Sequence, residues 1–165
     1  FAGMYKQGLM TYERGRNVID SGAHFYDVYQ CKDGEWISLG PIEPKFQKLM
    51  LETLKIKYDD LDATYDRKNW ASLKAQIAAR IDEKTQAEWN EILEGTDCCY
   101  APVLSLEDAP QHPHNRSRGT FIDVAGVTQP APAPRFSRSN PDPIRPPVKQ
   151  TPEKDDETIR NWLKG

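Results

Sequence analysis

A chain of 165 residues with a formal net charge of −3 is long enough for one ordinary folded core, and its positive charges are scattered. Scattered charge excludes the basic surface that nucleic acid or an anionic membrane would need, so neither is expected as a partner. No stretch approaches the roughly 20 apolar residues of a membrane-spanning helix, so no membrane span is predicted. Eleven of the 13 prolines lie from Pro102 to Pro152, which predicts packed structure in the first two thirds and an extended last third.

The chain opens on a predicted helix, because Phe1, Met4, Tyr5 and Leu9 share one apolar face. The polar run Glu13–Asn17 ends this helix. Since the first residue already belongs to the helical pattern, we expect a fragment whose natural start lies upstream.

A β-hairpin is predicted next. The stretches Phe25–Cys31 and Trp36–Leu39 are rich in aromatic and β-branched residues, and Asp33-Gly34 between them is a strong turn signal. Aromatic residues alternate along the two strands, which predicts that one face belongs to the core. These residues are Phe25, Tyr26, Tyr29 and Trp36.

A single carboxylate, that of Glu43, follows the hairpin at the start of a predicted helix. Gly40 ends the strand, and Pro44 fits the first helical position, where a missing N–H costs nothing. A carboxylate held there is stabilised as the anion and could remove a proton. An ordinary helix cap is the alternative, and the residues alone favour it. The apolar face of the predicted helix consists of Phe46, Leu49, Met50 and Leu54.

Three further elements precede the proline-rich part. The polar run Lys57–Asp66 predicts a loop with a single turn. Apolar residues at helical spacing from Trp70 to Ile81 predict a second helix. Thr85-Gln-Ala-Glu88 is a capping box that begins a third helix with Trp89, Ile92 and Leu93 on its apolar face, and Gly95 is placed to end it.

The remaining elements are short. Cys98–Leu104 predicts a strand, and its proline favours the edge of a sheet. His112–Gly119 is predicted to be a loop, and Phe121–Gln129 a second small hairpin. Pro130–Pro147 is expected to run extended, and Asp155–Leu163 regains helical spacing. Helices and short sheets in this order do not form a βαβ series, so the fold class is α+β.

The cysteines and two of the histidines predict no metal site. Cys31 stands alone and Cys98-Cys99 are adjacent, which is typical of neither a disulfide framework nor a zinc site and favours a reducing compartment. The adjacent pair is interpreted as small and buried rather than reactive. His112 and His114 have the spacing of some metal ligands, but no third ligand lies nearby in the sequence, so a structural role is favoured.

One further histidine, His24, stands just before the hairpin. It could act as an acid or base near Glu43. Because the sequence offers no residue to orient it, a surface histidine is the favoured interpretation.

Several motifs, taken together, closely resemble α-methylacyl-CoA racemases of the family III CoA-transferase group. They run in order over Phe1–Ser139, and their combination is far more specific than any one of them. The motifs are Arg14-Gly-Arg-Asn-Val-Ile-Asp20, Phe25-Tyr-Asp-Val-Tyr29, Lys32-Asp-Gly34, Gly40-Pro-Ile-Glu-Pro44, Ala101-Pro-Val-Leu104, Ala109-Pro-Gln-His-Pro-His-Asn-Arg-Ser-Arg-Gly119 and Pro130-Ala-Pro-Ala-Pro-Arg135. The resemblance covers the C-terminal half of such an enzyme.

The resemblance implies a site. Glu43 would be one of two bases that exchange the proton beside a thioester carbonyl, and the other base would be an upstream histidine supported by an aspartate. Tyr26 would border the acyl pocket, and Gly40, Pro41 and Ile42 would form the wall leading to the base. The substrate would be an acyl-CoA thioester whose nucleotide end binds outside this chain, with no metal or redox cofactor.

The resemblance also implies an architecture. Residues 1–21 would be a linker helix from a missing Rossmann-like large domain, residues 22–118 the small domain with Glu43, and residues 119–165 an extended return arm and C-terminal helix. The helix would dock onto the large domain, and full-length subunits would form interlocked homodimers. As an isolated chain it would be little more than a scaffold or dimerisation module.

Two departures and one alternative accompany the resemblance. Family members usually have Gly-Gly-Ala-Pro where this chain has Ser21-Gly-Ala-His24, which leaves the acyl substrate open. The chain ends in Leu163-Lys-Gly165 without a peroxisomal address, so a bacterial cytoplasm is expected, with mitochondria or peroxisomes as alternatives. A family III CoA-transferase that uses an upstream aspartate as nucleophile is the alternative activity.

Overall fold

The computed structural model describes residues 1–139, 142–146 and 152–164. The chain divides into two compact units, Phe1–Leu104 and Ser105–Gly165, and each is described by itself. Together they have the mixed helices and short antiparallel sheets of the predicted α+β class. Within the described ranges, no helix is long and apolar enough to cross a membrane.

The first unit contains four α-helices, one 3-10 helix and a three-stranded sheet. Its helices are α1 (Ala2–Lys6), α2 (Pro44–Thr53), the 3-10 helix Asp62–Tyr65, α3 (Arg67–Ile81) and α4 (Gln86–Leu93). Its strands are β1 (Asp27–Gln30), β2 (Trp36–Leu39) and β3 (Tyr100–Val103). All pairs are antiparallel in the order β1-β2-β3, so β3 lies at an edge, as its proline predicts.

The predicted hairpin is confirmed, with a first strand shorter than expected. The Cys31 N–H donates to the Glu35 carbonyl at 2.7 Å, and Gly34 has φ +87°, a left-handed conformation that suits glycine. Strand alternation buries Tyr29 while Tyr26 and Trp36 remain 38% and 42% exposed. One face of the hairpin therefore belongs to the core, as the sequence predicts.

The core of the first unit lies between the sheet and helices α2, α3 and α4. In α3 the predicted apolar face is buried along its whole length. Helix α2 is rotated from expectation: Phe46 and Leu49 are half-buried, whereas Gln47 is fully buried. The largest fully buried apolar side chains are Trp89, Phe25, Ile37, Met50, Leu51, Leu54, Ile77, Ile81 and Leu93.

A polar turn connects α1 to the hairpin. The Asn17 side chain is buried; its Nδ2 donates to Asp20 Oδ2 at 2.7 Å and its backbone N–H donates to Asp20 Oδ1 at 2.7 Å. A Cβ at Gly22 would lie 2.4 Å from the Asn17 carbonyl oxygen, so only glycine fits there. This turn fixes the approach of the chain to the first strand.

The described residues of the second unit form a short hairpin, the 3-10 helix Ala109–Gln111 and two α-helices. The hairpin pairs β4 (Phe121–Val124) with β5 (Val127–Pro130), as predicted. The expectation of a loop over His112–Gly119 is wrong, because α5 occupies Pro113–Ser117. Pro113 stands at the first helical position, where its fixed φ favours a helix start rather than a turn.

The proline-rich segment and the terminal helix complete the second unit. Residues 131–139 and 142–146 carry no helix or strand, as predicted, whereas Pro130 ends strand β5 at the edge of the hairpin, where a missing N–H is tolerated. Residues 140, 141 and 147 of the predicted arm lie outside the described residues. Helix α6 spans Pro152–Trp162 and so begins three residues before the predicted helix. Its Ile159 and Trp162 side chains are 55% and 88% exposed.

Candidate active site

Glu43 lies at the elbow between the sheet and α2, where the sequence places it. Its backbone has the extended conformation of an N-cap, and its carbonyl accepts hydrogen bonds from the N–H groups of Phe46 and Gln47 at 3.0 and 2.9 Å. Within the described part of the chain its carboxylate makes no cap hydrogen bond and is exposed. The backbone of Glu43 therefore caps the helix, while its carboxylate remains available for chemistry.

The charge of this carboxylate contributes to raised pKa values at two other side chains, Tyr65 and Cys99. Burial, and then the nearby Glu43 and Asp62 carboxylates, raise the pKa of Tyr65. Burial, followed by Glu43 and Asp97, likewise raises the pKa of the Cys99 thiol. Because its pKa is raised, Cys99 is a neutral thiol at neutral pH.

A groove of about 280 Å³ opens on the sheet beside this elbow. A Cβ at Gly40 would lie 3.6 Å from Tyr26 Cε2, so the missing side chain leaves space beside the aromatic ring. The Gly40 N–H donates to the Cys99 carbonyl at 3.0 Å, which ties β2 to the entry of β3. The residues that line the groove are Ile19, Ser21, Tyr26, Asp27, Val28, Ser38, Leu39, Gly40 and Cys99.

The predicted substrate-binding residues divide into two groups. Tyr26 and Gly40 line the groove. Pro41 is buried, and Ile42 is 38% exposed with its carbonyl accepting a hydrogen bond from the Tyr65 hydroxyl at 2.8 Å. Pro41 and Ile42 connect Gly40, which lines the groove, to Glu43.

The prediction of a buried cysteine pair is wrong for one member. Cys98 is fully buried, whereas Cys99 is exposed, has φ +50° and lines the groove. Residues approaching an edge strand alternate between its two faces, so two consecutive cysteines should not both be buried. That alternation was the available signal.

The expectation of a surface histidine at position 24 is also wrong. His24 is fully buried, and its Nε2 lies 3.1 Å from Gln47 Nε2. Gln47 Oε1 in turn accepts from the Thr64 hydroxyl at 3.1 Å. The partners lie 23 and 17 residues apart along the chain, a separation that no local pattern reveals. His24 thus belongs to the packing behind α2 rather than to the exposed groove.

Metal-binding side chains do not gather in the ranges that the structure describes: no group of three or more histidine, cysteine or acidic residues could hold an ion there. His112 and His114 belong to the start of α5. The predicted absence of a cofactor remains a prediction.

The fold and the site define an α+β domain that presents a single exposed carboxylate at a strand-to-helix elbow, beside a groove on its sheet. The model of the CoA-transferase family III matches residues 2–156, and the chain belongs to this family. It is 39% identical to the alpha-methylacyl-CoA racemase of Mus musculus over 153 residues, which cover 92% of this chain and 39% of that protein. It is also 39% identical to the alpha-methylacyl-CoA racemase of Homo sapiens over 148 residues, 89% of this chain and 38% of that protein.

More distant relatives agree on the family and the fold. A CaiB/baiF CoA-transferase family protein of Caenorhabditis elegans is 26% identical over 110 residues, 67% of this chain and 31% of that protein. A crystal structure of the hypothetical protein Rv3272 from Mycobacterium tuberculosis matches with a TM-score of 0.56 at 17% identity, over 82% of this chain and 38% of that chain. The chain therefore spans about two fifths of the length of the curated racemases it matches.

Proposed function

We propose that this chain is part of an α-methylacyl-CoA racemase and that Glu43 is one of its two catalytic bases. The observation that carries the proposal is the state of Glu43: its backbone is fixed at a helix start while its carboxylate is exposed and makes no cap hydrogen bond among the described residues. The 39% identity to two proteins named alpha-methylacyl-CoA racemase supports this choice within the family.

The reaction would be an exchange of one proton at the carbon next to a thioester carbonyl. The Glu43 carboxylate takes this proton from one face, the C–H electron pair moves into the enolate, and a second base returns a proton to the opposite face. This sequence interconverts the 2R and 2S thioesters. Because only protons move, the chemistry needs neither a redox cofactor nor a metal.

The rest of the proposed enzyme lies outside this chain. The second base would be a histidine supported by an aspartate in an upstream large domain, and that domain would also bind the CoA nucleotide. Tyr26, Gly40, Pro41 and Ile42 would border the acyl group. A homodimer in which one small domain completes the site on the other subunit is part of the same proposal.

The test follows the interconversion of the 2R and 2S forms of a 2-methylacyl-CoA by the full-length protein. Glu43→Gln keeps the size of the side chain but removes its basicity, so we expect racemisation to fall by about 10²- to 10⁴-fold. Glu91→Gln makes the same change of charge at an exposed position of α4 and should leave racemisation at the wild-type rate. Wild-type racemisation in Glu43→Gln would exclude Glu43 as a base.

A family III CoA-transferase is the second candidate, favoured by the family match and by the relative from Caenorhabditis elegans. Such an enzyme would use an upstream aspartate as nucleophile. A covalent adduct between that aspartate and CoA, trapped in the full-length protein together with the absence of α-exchange, would support the transferase over the racemase.

A further inference from the structure

We propose that Thr64 and Tyr65 are positioning residues for Glu43, an inference that rests on the proposed role of Glu43 as a base. These two neighbours end the 3-10 helix Asp62–Tyr65. Tyr65 contacts the main chain one residue before Glu43. Thr64 contacts Gln47 in the first turn of α2, after Glu43. The residues next to Glu43 in the sequence predict neither contact.

The contact before Glu43 is a hydrogen bond to the main chain. The Tyr65 hydroxyl donates to the Ile42 carbonyl at 2.8 Å, one residue before the carboxylate. The Tyr65 ring itself is anchored, because its centroid lies 5.3 Å from that of Phe25, whose side chain is only 1% exposed. The hydroxyl is therefore held by the core while it restrains an exposed elbow.

The contact after Glu43 passes through a buried side chain of α2. Gln47 lies four residues after Glu43 and donates its backbone N–H to the Glu43 carbonyl at 2.9 Å. Its Oε1 lies 3.1 Å from the Thr64 hydroxyl, whose proton is shared with the Leu61 carbonyl at 2.6 Å, and its Nε2 donates to His24 Nε2 at 3.1 Å. Thr64, Gln47 and His24 are all buried, so this chain of polar contacts fixes the rotation of the first turn of α2.

Together the two contacts restrain both bonds by which the main chain enters and leaves Glu43. Without these contacts the main chain at this exposed elbow would be more mobile, and the Glu43 carboxylate would sample a wider range of orientations. A displacement of about 1 Å at a reacting group costs on the order of 10²-fold in rate, because alignment with the bond to be broken is lost. The 3-10 helix thus serves the site without touching substrate.

The experiment compares conservative variants in the full-length protein. Tyr65→Phe removes one hydroxyl and keeps the ring on Phe25, and Tyr58→Phe removes a hydroxyl from the same helix-to-helix segment while leaving the contact with Ile42 in place. Thr64→Val removes the hydroxyl that contacts both Gln47 and the Leu61 carbonyl, and Thr64→Ser retains a hydroxyl at this position. We expect kcat for α-proton exchange to fall roughly 10-fold or more in Tyr65→Phe and Thr64→Val, with KM within about twofold of wild type. The two control variants should stay near the wild-type kcat.

A second readout does not depend on the activity. Amide hydrogen exchange of Phe46 and Gln47, whose N–H groups donate to the Glu43 carbonyl, should accelerate in Tyr65→Phe and Thr64→Val but not in the controls. Wild-type amide exchange and wild-type kcat in both variants would overturn the inference, as would a change confined to KM. Wild-type racemisation by Glu43→Gln would overturn the proposed function and with it the catalytic role of the restraint. Faster amide exchange in Tyr65→Phe and Thr64→Val would still establish that the restraint exists.

Discussion

His24 is buried as a neutral ring because of what its partner can offer. An amide nitrogen only donates hydrogen bonds, so the Gln47 Nε2 group requires His24 Nε2 to accept. A protonated ring would place two donors 3.1 Å apart. Burial, reinforced by the positive charge of Lys74, lowers the pKa of His24 to about 4. Its Nδ1 has no hydrogen-bond partner among the described residues, an added cost of the burial.

This environment predicts that acid weakens the first unit through His24. The unfolded chain binds a proton at this residue below pH 6.5, while the folded chain does not until pH falls to about 4. The free energy of unfolding should therefore decrease between these two values by up to about 1.4 kcal/mol per pH unit. Urea unfolding of the 165-residue chain at pH 7, 6 and 5 measures this slope.

The matched variant for this measurement is His24→Leu, which has a similar size and cannot titrate. It should be less stable than the wild type at pH 7, because the Gln47 amide loses its acceptor. Its unfolding free energy should nevertheless change less between pH 7 and pH 5. Equal slopes for the two chains would show that His24 does not control the acid response.

At the level of elements, helices and strands formed by local rules were predictable. Asp33-Gly34 ends one strand of the hairpin, Pro44 begins α2, and the Thr85–Glu88 capping box begins α4, all through neighbours in the sequence. Features that depend on distant contacts were not. The burial of His24 depends on Gln47, and that of Gln47 on Thr64, so only the folded chain brings the three together.

In the candidate site, too, local features were predictable and long-range contacts were not. The position of Glu43 at a helix start could be inferred from Gly40 and Pro44, because both residues act on their own backbone. The contact of Tyr65 with the Ile42 carbonyl could not, since 23 residues separate the partners. The exposure of Cys99 was only partly predictable. Alternation along a strand indicated that one of the two adjacent cysteines is exposed, but the general preference of cysteine for the protein interior favoured burial of both.

The capping box of α4 gives a prediction at the level of one element. The Thr85 side chain accepts from the Glu88 N–H, and the Glu88 carboxylate accepts from the Thr85 N–H at 2.8 Å. Thr85→Ala removes one of these bonds and should lower the free energy of unfolding by about 1 kcal/mol. Urea unfolding at pH 7 measures the loss, with Thr85→Ser as the variant that retains the cap.

This helix matters to the unit because its Trp89 is buried and donates Nε1–H to the Ile81 carbonyl at 2.8 Å. Fraying at Thr85 would therefore loosen the junction of α3 and α4. Equal stability of Thr85→Ala and the wild type would mean that packing of Trp89 alone fixes the start of α4.

The first unit presents its proposed base to solvent rather than enclosing it. Glu43 is exposed, and so are Trp36 and Val103 on the outer face of the sheet, at 42% and 41%. The groove beside Glu43 has a volume of about 280 Å³, near the lower limit of small-molecule sites, which usually have about 300–1,000 Å³. An acyl-CoA would need further walls to be held and shielded from water. These properties agree with the proposal that an upstream domain completes the site.

The proposal makes a sharp prediction for the isolated chain. Interconversion of the 2R and 2S thioesters requires two bases, and the second base of the proposed mechanism lies upstream. The purified 165-residue chain should therefore interconvert the 2R and 2S forms of a 2-methylacyl-CoA no faster than buffer, while full-length protein at the same concentration shows turnover. The Glu43→Gln form of the chain is the control, since a contaminating racemase would be equally active in both preparations. Racemisation by the wild-type chain that disappears in Glu43→Gln would show that these residues suffice for the whole reaction, and the two-domain mechanism would have to be abandoned.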